Sequence, residues 1–170
     1  MKHSIRKFLA MLAACSASVD AGGFYLGAST GIMDADVSGF DEAVNAGVLA
    51  GYDIYTREIV AVSLEAELTT TISDGDVEIQ GNKGDWDLDT RAAYIAIRIG
   101  QRAYMKVRYG VIYNDVTVKV ADFNRSESDT DGSWGAAIGW MFTDHWGIQA
   151  DGTMVDSDVN YWNLGVRYQF

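Results

Sequence analysis

Proline is absent from the 170 residues, cysteine occurs once and histidine twice. Without proline, the 18 glycines make neither a Pro-rich linker nor a collagen-like fibre. Cys15 alone allows no intrachain disulfide framework and no thiolate metal cluster, and His3 and His145 offer little to an imidazole site. No catalytic residue, metal site or cofactor is expected. Basic residues are scarce: 13 Lys and Arg face 24 Asp and Glu, a net charge of −11. That balance argues against a nucleic acid partner, whose phosphates need cations. Also missing is any run of about 20 apolar residues, so there is no bundle of transmembrane helices. Yet 48% of the chain is hydrophobic while mean hydropathy is only −0.04, so apolar and polar residues must be interspersed.

The first residues carry Lys2, Arg6 and Lys7, followed by a short apolar run from Phe8 to Ala14. This pattern reads as a secretory signal peptide over 1–21, with Val19-Asp20-Ala21 as the cleavage site and 22–170 as one mature domain. Leu12-Ala13-Ala14-Cys15 also matches a lipobox, in which Cys15 would be acylated; otherwise it is lost with the leader.

From Gly23 onward the dominant period is two, in segments of about ten residues separated by Gly, Asp, Asn and Ser clusters. Eight strands are expected, over 23–32, 44–54, 58–70, 88–99, 103–114, 133–142, 146–155 and 160–170, and no helix. In 103–114, Met105, Val107, Tyr109, Val111 and Tyr113 share one face against Lys106, Arg108, Gly110 and Asn114. Links alternate between short (around 55–57, 100–102 and 143–145) and long and polar (33–43, 71–87 and 115–132), with a brief last link near Asp156-Ser157-Asp158. Eight antiparallel strands with one continuous apolar face predict an all-β, up-and-down closed barrel, since closure removes unpaired edges.

Three features place the apolar face outward, in lipid. Small residues (Gly27, Gly47, Gly51, Gly110, Gly135, Gly139, Gly165) crowd the polar face, as a narrow bore requires. The apolar face carries no Lys, Arg, Asp or Glu through the middle of six strands, matching a cost of about 2–4 kcal/mol for Arg or Lys at the bilayer midplane. Aromatics on that face sit near strand ends: Phe24, Tyr52, Trp140, Phe142, Trp146, Tyr168 and Phe170 at one rim, Tyr113, Trp134 and Trp162 at the other. These read as interfacial girdles of a transmembrane β-barrel.

The closing stretch Trp162-Asn163-Leu164-Gly165-Val166-Arg167-Tyr168-Gln169-Phe170 and the opening Gly23-Phe24-Tyr25-Leu26-Gly27-Ala28-Ser29 resemble the small outer-membrane barrels typified by the transmembrane domain of OmpA and by OmpX. The resemblance covers 22–170, with no peptidoglycan-binding domain after the barrel. It implies location in a bacterial outer membrane and contact with outer-membrane lipid and lipopolysaccharide. It also implies recognition of Val166, Tyr168 and Phe170 by the barrel assembly machinery.

By parity the bore holds Glu65, Glu67 and Asp151 against Arg98, Lys106, Arg108 and Arg167. Enclosed charges must be paired and hydrogen-bonded, so these are expected to form ion pairs that plug the bore. Seventeen of the 24 acids fall in the long links and around Asp156 and Asp158, making one rim strongly negative. Divalent cations could bridge such carboxylates to lipopolysaccharide phosphates, but no spacing matches an EF-hand loop. The functional expectation is a monomeric, non-enzymatic surface barrel with a structural or surface-interaction role. The alternatives are a narrow pore or small-solute channel and, behind it, a lipid-modifying enzyme. The enzyme lacks a base, because His145 lies in a short turn opposite the long links.

Overall fold

The computed structural model describes residues 23–35, 41–79, 82–120, 123–156 and 158–170. The expected leader over 1–21, with His3 and Cys15, and Asp36 and Asp122 of the expected long links, lie outside them. Among the described residues nine strands run in chain order: β1 Phe24–Ala35, β2 Ala43–Arg57, β3 Val60–Ser73, β4 Gly75–Ile79, β5 Asn82–Gly100, β6 Ala103–Val120, β7 Phe123–Met141, β8 Trp146–Asp156 and β9 Val159–Gln169. All pairings are antiparallel between neighbours around the ring, and two contacts close it. β3 pairs β5, from Val60↔Ile99 to Thr69↔Thr90, and β1 pairs β9, from Tyr25↔Gln169 to Ala35↔Val159. The barrel proper therefore has eight strands, and β4 is a short addition that pairs only with β5 above the point where β3 ends.

The expected links at 71–87 and 115–132 are not loops. β5 pairs with β6 from Gly84↔Val120 to Gly100↔Tyr104, and β6 with β7 from Ala103↔Trp140 to Val120↔Phe123. Two hairpins thus stand well above the barrel. Their alternation was hidden by acidic residues at the exposed positions: Val116 and Val118 share a face with Ile112, while Asp115, Thr117 and Lys119 hold the other.

Side chains sort as the period of two demands. Met105, Val107, Tyr109 and Val111 are exposed on β6, as are Trp134, Ile138 and Trp140 on β7 and Trp162, Leu164 and Val166 on β9. Such a continuous apolar outer belt is stable against hydrocarbon, because closure of the sheet pairs β1 with β9 and leaves the barrel no open edge there.

The small bore residues have a specific use. Three inward tyrosines stand directly across from glycines: Tyr25↔Gly51, Tyr94↔Gly110 and Tyr104↔Gly139. A Cβ added at Gly51 or Gly139 would run into the ring of Tyr25 or Tyr104. Gly51 and Gly139 thus leave the space that the rings of Tyr25 and Tyr104 occupy, whereas a Cβ at Gly110 would meet the backbone of Ala93 and Tyr94. Gly51→Ala should therefore cost about 1–3 kcal/mol by overpacking. Gly27→Ala, whose new Cβ would come no nearer than 3.4 Å to Val166 O, should cost less than about 1 kcal/mol. Urea unfolding of the two variants in phospholipid vesicles checks the difference.

Candidate functional site

The inward faces of β3, β6 and β8 bring five of the expected charges together at mid-barrel. Lys106 Nζ lies 2.9 Å from Glu65 Oε1 and 3.7 Å from Asp151 Oδ1. Arg108 Nη1 lies 2.6 Å from Glu67 Oε2 and 3.8 Å from Glu65 Oε2, and Arg108 Nη2 donates to Thr153 Oγ1 at 2.6 Å. Tyr25 donates its hydroxyl proton to Glu65 Oε1 at 2.7 Å, and Gln149 Nε2 donates to Asp151 Oδ2 at 2.7 Å. Glu65 and Arg108 are each 3% exposed. Charges so far from water persist only when several partners replace the lost hydration, which this network provides.

The other two expected members sit differently. Arg98 pairs with Asp53 at 2.9 Å, nearer the short-turn rim, and Asp53 also accepts from Ser63 Oγ at 2.6 Å. Asp53 was absent from the expected set, although it shares the inward parity of Gly47 and Gly51; its place near the end of β2 disguised it. Arg167 is a correction, because it has no carboxylate within ion-pair distance among the described residues. Its guanidinium instead lies 3.6 Å from the centroid of the Tyr25 ring, with Nη2 donating to Gln169 Oε1 at 2.7 Å. A flat cation on an aromatic face is held by the ring quadrupole, so a glycine-backed tyrosine takes the role of the missing acid. With Asp53 counted, four acids (Asp53, Glu65, Glu67, Asp151) match four bases (Arg98, Lys106, Arg108, Arg167).

Above the charges the bore turns apolar, which sequence parity did not foresee. Met33, Trp86, Leu88, Ile112, Val155 and Tyr161 form a buried cluster toward the long-hairpin end. The signal was present in Trp86 and Leu88, which lie on the same face of β5 as Tyr94, but the acidic neighbours Asp85, Asp87 and Asp89 made the segment read as a loop. Below the cluster, a cavity among Tyr25, Glu67, Asp151, Asn163 and Arg167 measures about 30 Å³, room for roughly one water.

The expected girdle residues Trp134, Trp140, Phe142, Trp146 and Trp162 are exposed on the outer face, and Tyr113 is 38% exposed. At the short-turn rim Phe24 and Phe170 pack at 5.3 Å, Tyr168 and Phe170 edge-on at 4.9 Å, and Trp146 and Tyr168 at 4.8 Å. Phe170 N donates to Phe24 O at 3.0 Å, and the alternation of β9 sets Val166 and Phe170 outward with Leu164. His145, in the turn before β8, has Nδ1 2.8 Å from Gln169 O and stacks on Tyr168.

At the opposite rim the hairpin extensions carry the acids. Lys119 donates to Asp87 at 2.9 Å, and that bond, with Asp74 and Asp85 nearby, holds the ammonium above its ordinary range. Among the described residues no three His, Cys, Asp or Glu side chains are placed to ligate one metal ion.

A closed antiparallel barrel with an apolar outer belt, aromatic rims and an ionic interior defines an integral outer-membrane barrel. The chain belongs to the outer membrane protein beta-barrel domain family, whose model matches residues 8–170. No curated protein matches it. Among solved structures, OprG of Pseudomonas aeruginosa shares the fold with a TM-score of 0.66 at 13% identity, covering 88% of this chain and 96% of that one. Neisserial surface protein A gives 0.59 at 16%, covering 87% and 97%. Ail, the attachment invasion locus protein of Yersinia pestis, in complex with the heparin analogue sucrose octasulfate, gives 0.58 at 16%, covering 87% and 97%. These likenesses establish the fold.

Proposed function

We propose that this chain is a non-enzymatic, non-conducting barrel of the bacterial outer membrane. On this reading it is delivered by the leader at 1–21, stands as a monomer among lipid and lipopolysaccharide, and presents acidic hairpins outward. The observation that supports the proposal is the occupied bore: among the described residues, a buried charge-matched network stands at mid-height with a buried apolar cluster above it. A barrel of eight strands is just wide enough for its side chains, and here they fill it. Val166, Tyr168 and Phe170 are assigned to recognition by the barrel assembly machinery.

The enzyme alternative has little support, because His145 contacts a backbone carbonyl at the rim away from the acidic hairpins. The sign of the outer rim also narrows the partners. Ail was crystallised with a sulfated sugar, whereas a rim carrying Asp87, Asp115, Glu127 and Asp129 would repel such a polyanion. Reconstitution in planar bilayers tests the proposal. The expected result is a quiet membrane without unitary steps; large, reproducible conductance from the folded monomer would overturn it.

A further inference from the structure

We propose that the outer wall of the barrel holds one phosphorylated acyl lipid of the outer leaflet, of the lipopolysaccharide class, with its phosphate on Arg91 and a chain in the groove below; this rests on the outer-membrane placement above. The groove measures about 390 Å³, and Leu68, Trp146 and Val166, which line it, are exposed on the lipid side. Ala28, Ala50 and Ala66 keep it open, because each carries only a methyl where the neighbouring Leu26, Val48 and Leu68 carry branched chains. It starts at Trp146 and Tyr168 in the short-turn girdle and ends at Leu68, high on β3. The antiparallel register carries both of its walls onward. Ala66 and Leu68 stand across from Ala93 and Arg91 of β5, which stand across from Val111 and Tyr113 of β6. The groove thus climbs obliquely from one rim toward the other and leads to a guanidinium.

An apolar groove on a lipid-facing wall would by itself accept any chain. Arg91 selects the headgroup. On the outer face of β5, Ile99, Ile97, Ile95 and Ala93 lead up to it, so it is the first charge above the apolar belt. The corresponding first charges on β1 and β6 are Asp34 and Asp115, which repel a phosphate. Among the described residues Arg91 is the one cation at this boundary, and it makes no ion pair there. Its Cζ lies 5.9 Å from the centroid of the Tyr113 ring. A ring steadies a guanidinium while leaving its N–H donors for an acceptor, and a phosphate takes two of them side by side. Asp89 is the next outward residue of β5 above Arg91, so an anion reaches the guanidinium favourably only from below, where lipid headgroups lie. Free phosphate has nothing to place in the groove, and a lipid without phosphate has nothing to offer Arg91. Only a molecule with both ends meets both features.

The test uses the protein refolded in phosphate-free maltoside micelles, with bound lipid counted by mass spectrometry of the intact complex. Lipid A is the probe; its dephosphorylated form, with the same acyl chains, and inorganic phosphate are the comparators. One lipid A per barrel is expected, with the dephosphorylated form about tenfold weaker, the size of a lost charge-assisted hydrogen-bond pair, and no retention of inorganic phosphate. Arg91→Gln should weaken lipid A about tenfold for the same reason, and Ala50→Leu with Ala66→Leu, which fills the groove, about fivefold. Lys119→Gln, on the hairpin well above the belt, should leave binding unchanged. Each variant is first shown to be a folded barrel by its heat-modifiable gel mobility. Equal retention of the dephosphorylated lipid, or full binding by Arg91→Gln, would overturn the proposal by leaving only a greasy wall. Full binding by the groove-filled variant would overturn it by leaving only a surface charge. A folded parent that retains no lipid A would also overturn it, while the outer-membrane barrel itself would still stand or fall by its conductance.

Discussion

Glu65→Gln should lower the unfolding free energy by about 3–5 kcal/mol, the usual consequence of leaving a buried cation without its partner. The substitution keeps shape and an acceptor for Tyr25 but removes the charge that faces Lys106 at 2.9 Å and Arg108 at 3.8 Å. Asp151 Oδ1 lies 3.7 Å from Lys106, beyond hydrogen-bond distance, while its Oδ2 is held by Gln149, so it compensates only in part. Lys106→Met alone should be costly for the mirror reason, since it strands Glu65. The double variant should recover at least half of the summed loss, because it removes a matched pair from a low-dielectric interior. Urea unfolding in phosphatidylcholine vesicles, followed by tryptophan fluorescence, measures all three. A loss below about 1 kcal/mol for Glu65→Gln would mean that the charges are individually hydrated in a wet lumen, and the non-conducting reading would fall with the network.

Leu164→Arg should cost about 2–4 kcal/mol in the same assay, the depth-dependent penalty for a cation on the lipid face of a barrel. Leu164 is 61% exposed and sits at mid-strand between Thr30 of β1 and Ala150 of β8. Were water outside, an exposed leucine could become arginine within about 0.5 kcal/mol. Ser128→Arg is the matched control. It is also exposed, but stands on the β6–β7 hairpin beside Asp115, above the apolar belt, and should change stability little. Similar small effects at both positions would remove the membrane from the description.

Much of this arrangement was legible in the sequence because a strict period of two says which side chains share a face. That was enough to place Glu65, Glu67, Lys106, Arg108 and Asp151 in one bore. Parity says nothing about height, however, so Arg98 could not be separated from the central group or matched to Asp53. Nor does it reveal that a cation can settle on a ring, as Arg167 does on Tyr25. The tall hairpins were hidden for another reason. Acidic residues in 71–89 and 115–131 carry the composition of a loop, and only the valines between them, with Trp86 and Leu88, mark an inward face. The pairing of β6 with β7 as far as Val120↔Phe123 is what makes these segments part of the sheet.

The seam between β1 and β9 joins positions such as Tyr25 and Gln169 that are far apart along the chain, whereas every other barrel pairing is a hairpin between successive barrel strands. Ribbons of the meander can assemble locally and fast, but the cylinder is sealed only by the union of its first and last staves. Until then two raw edges face the bilayer with their amides unmet. The slow and error-prone moment in the life of this polypeptide is thus its final zipping, and the aromatic clasp of Phe24, Tyr168 and Phe170 lies where that zip begins or ends.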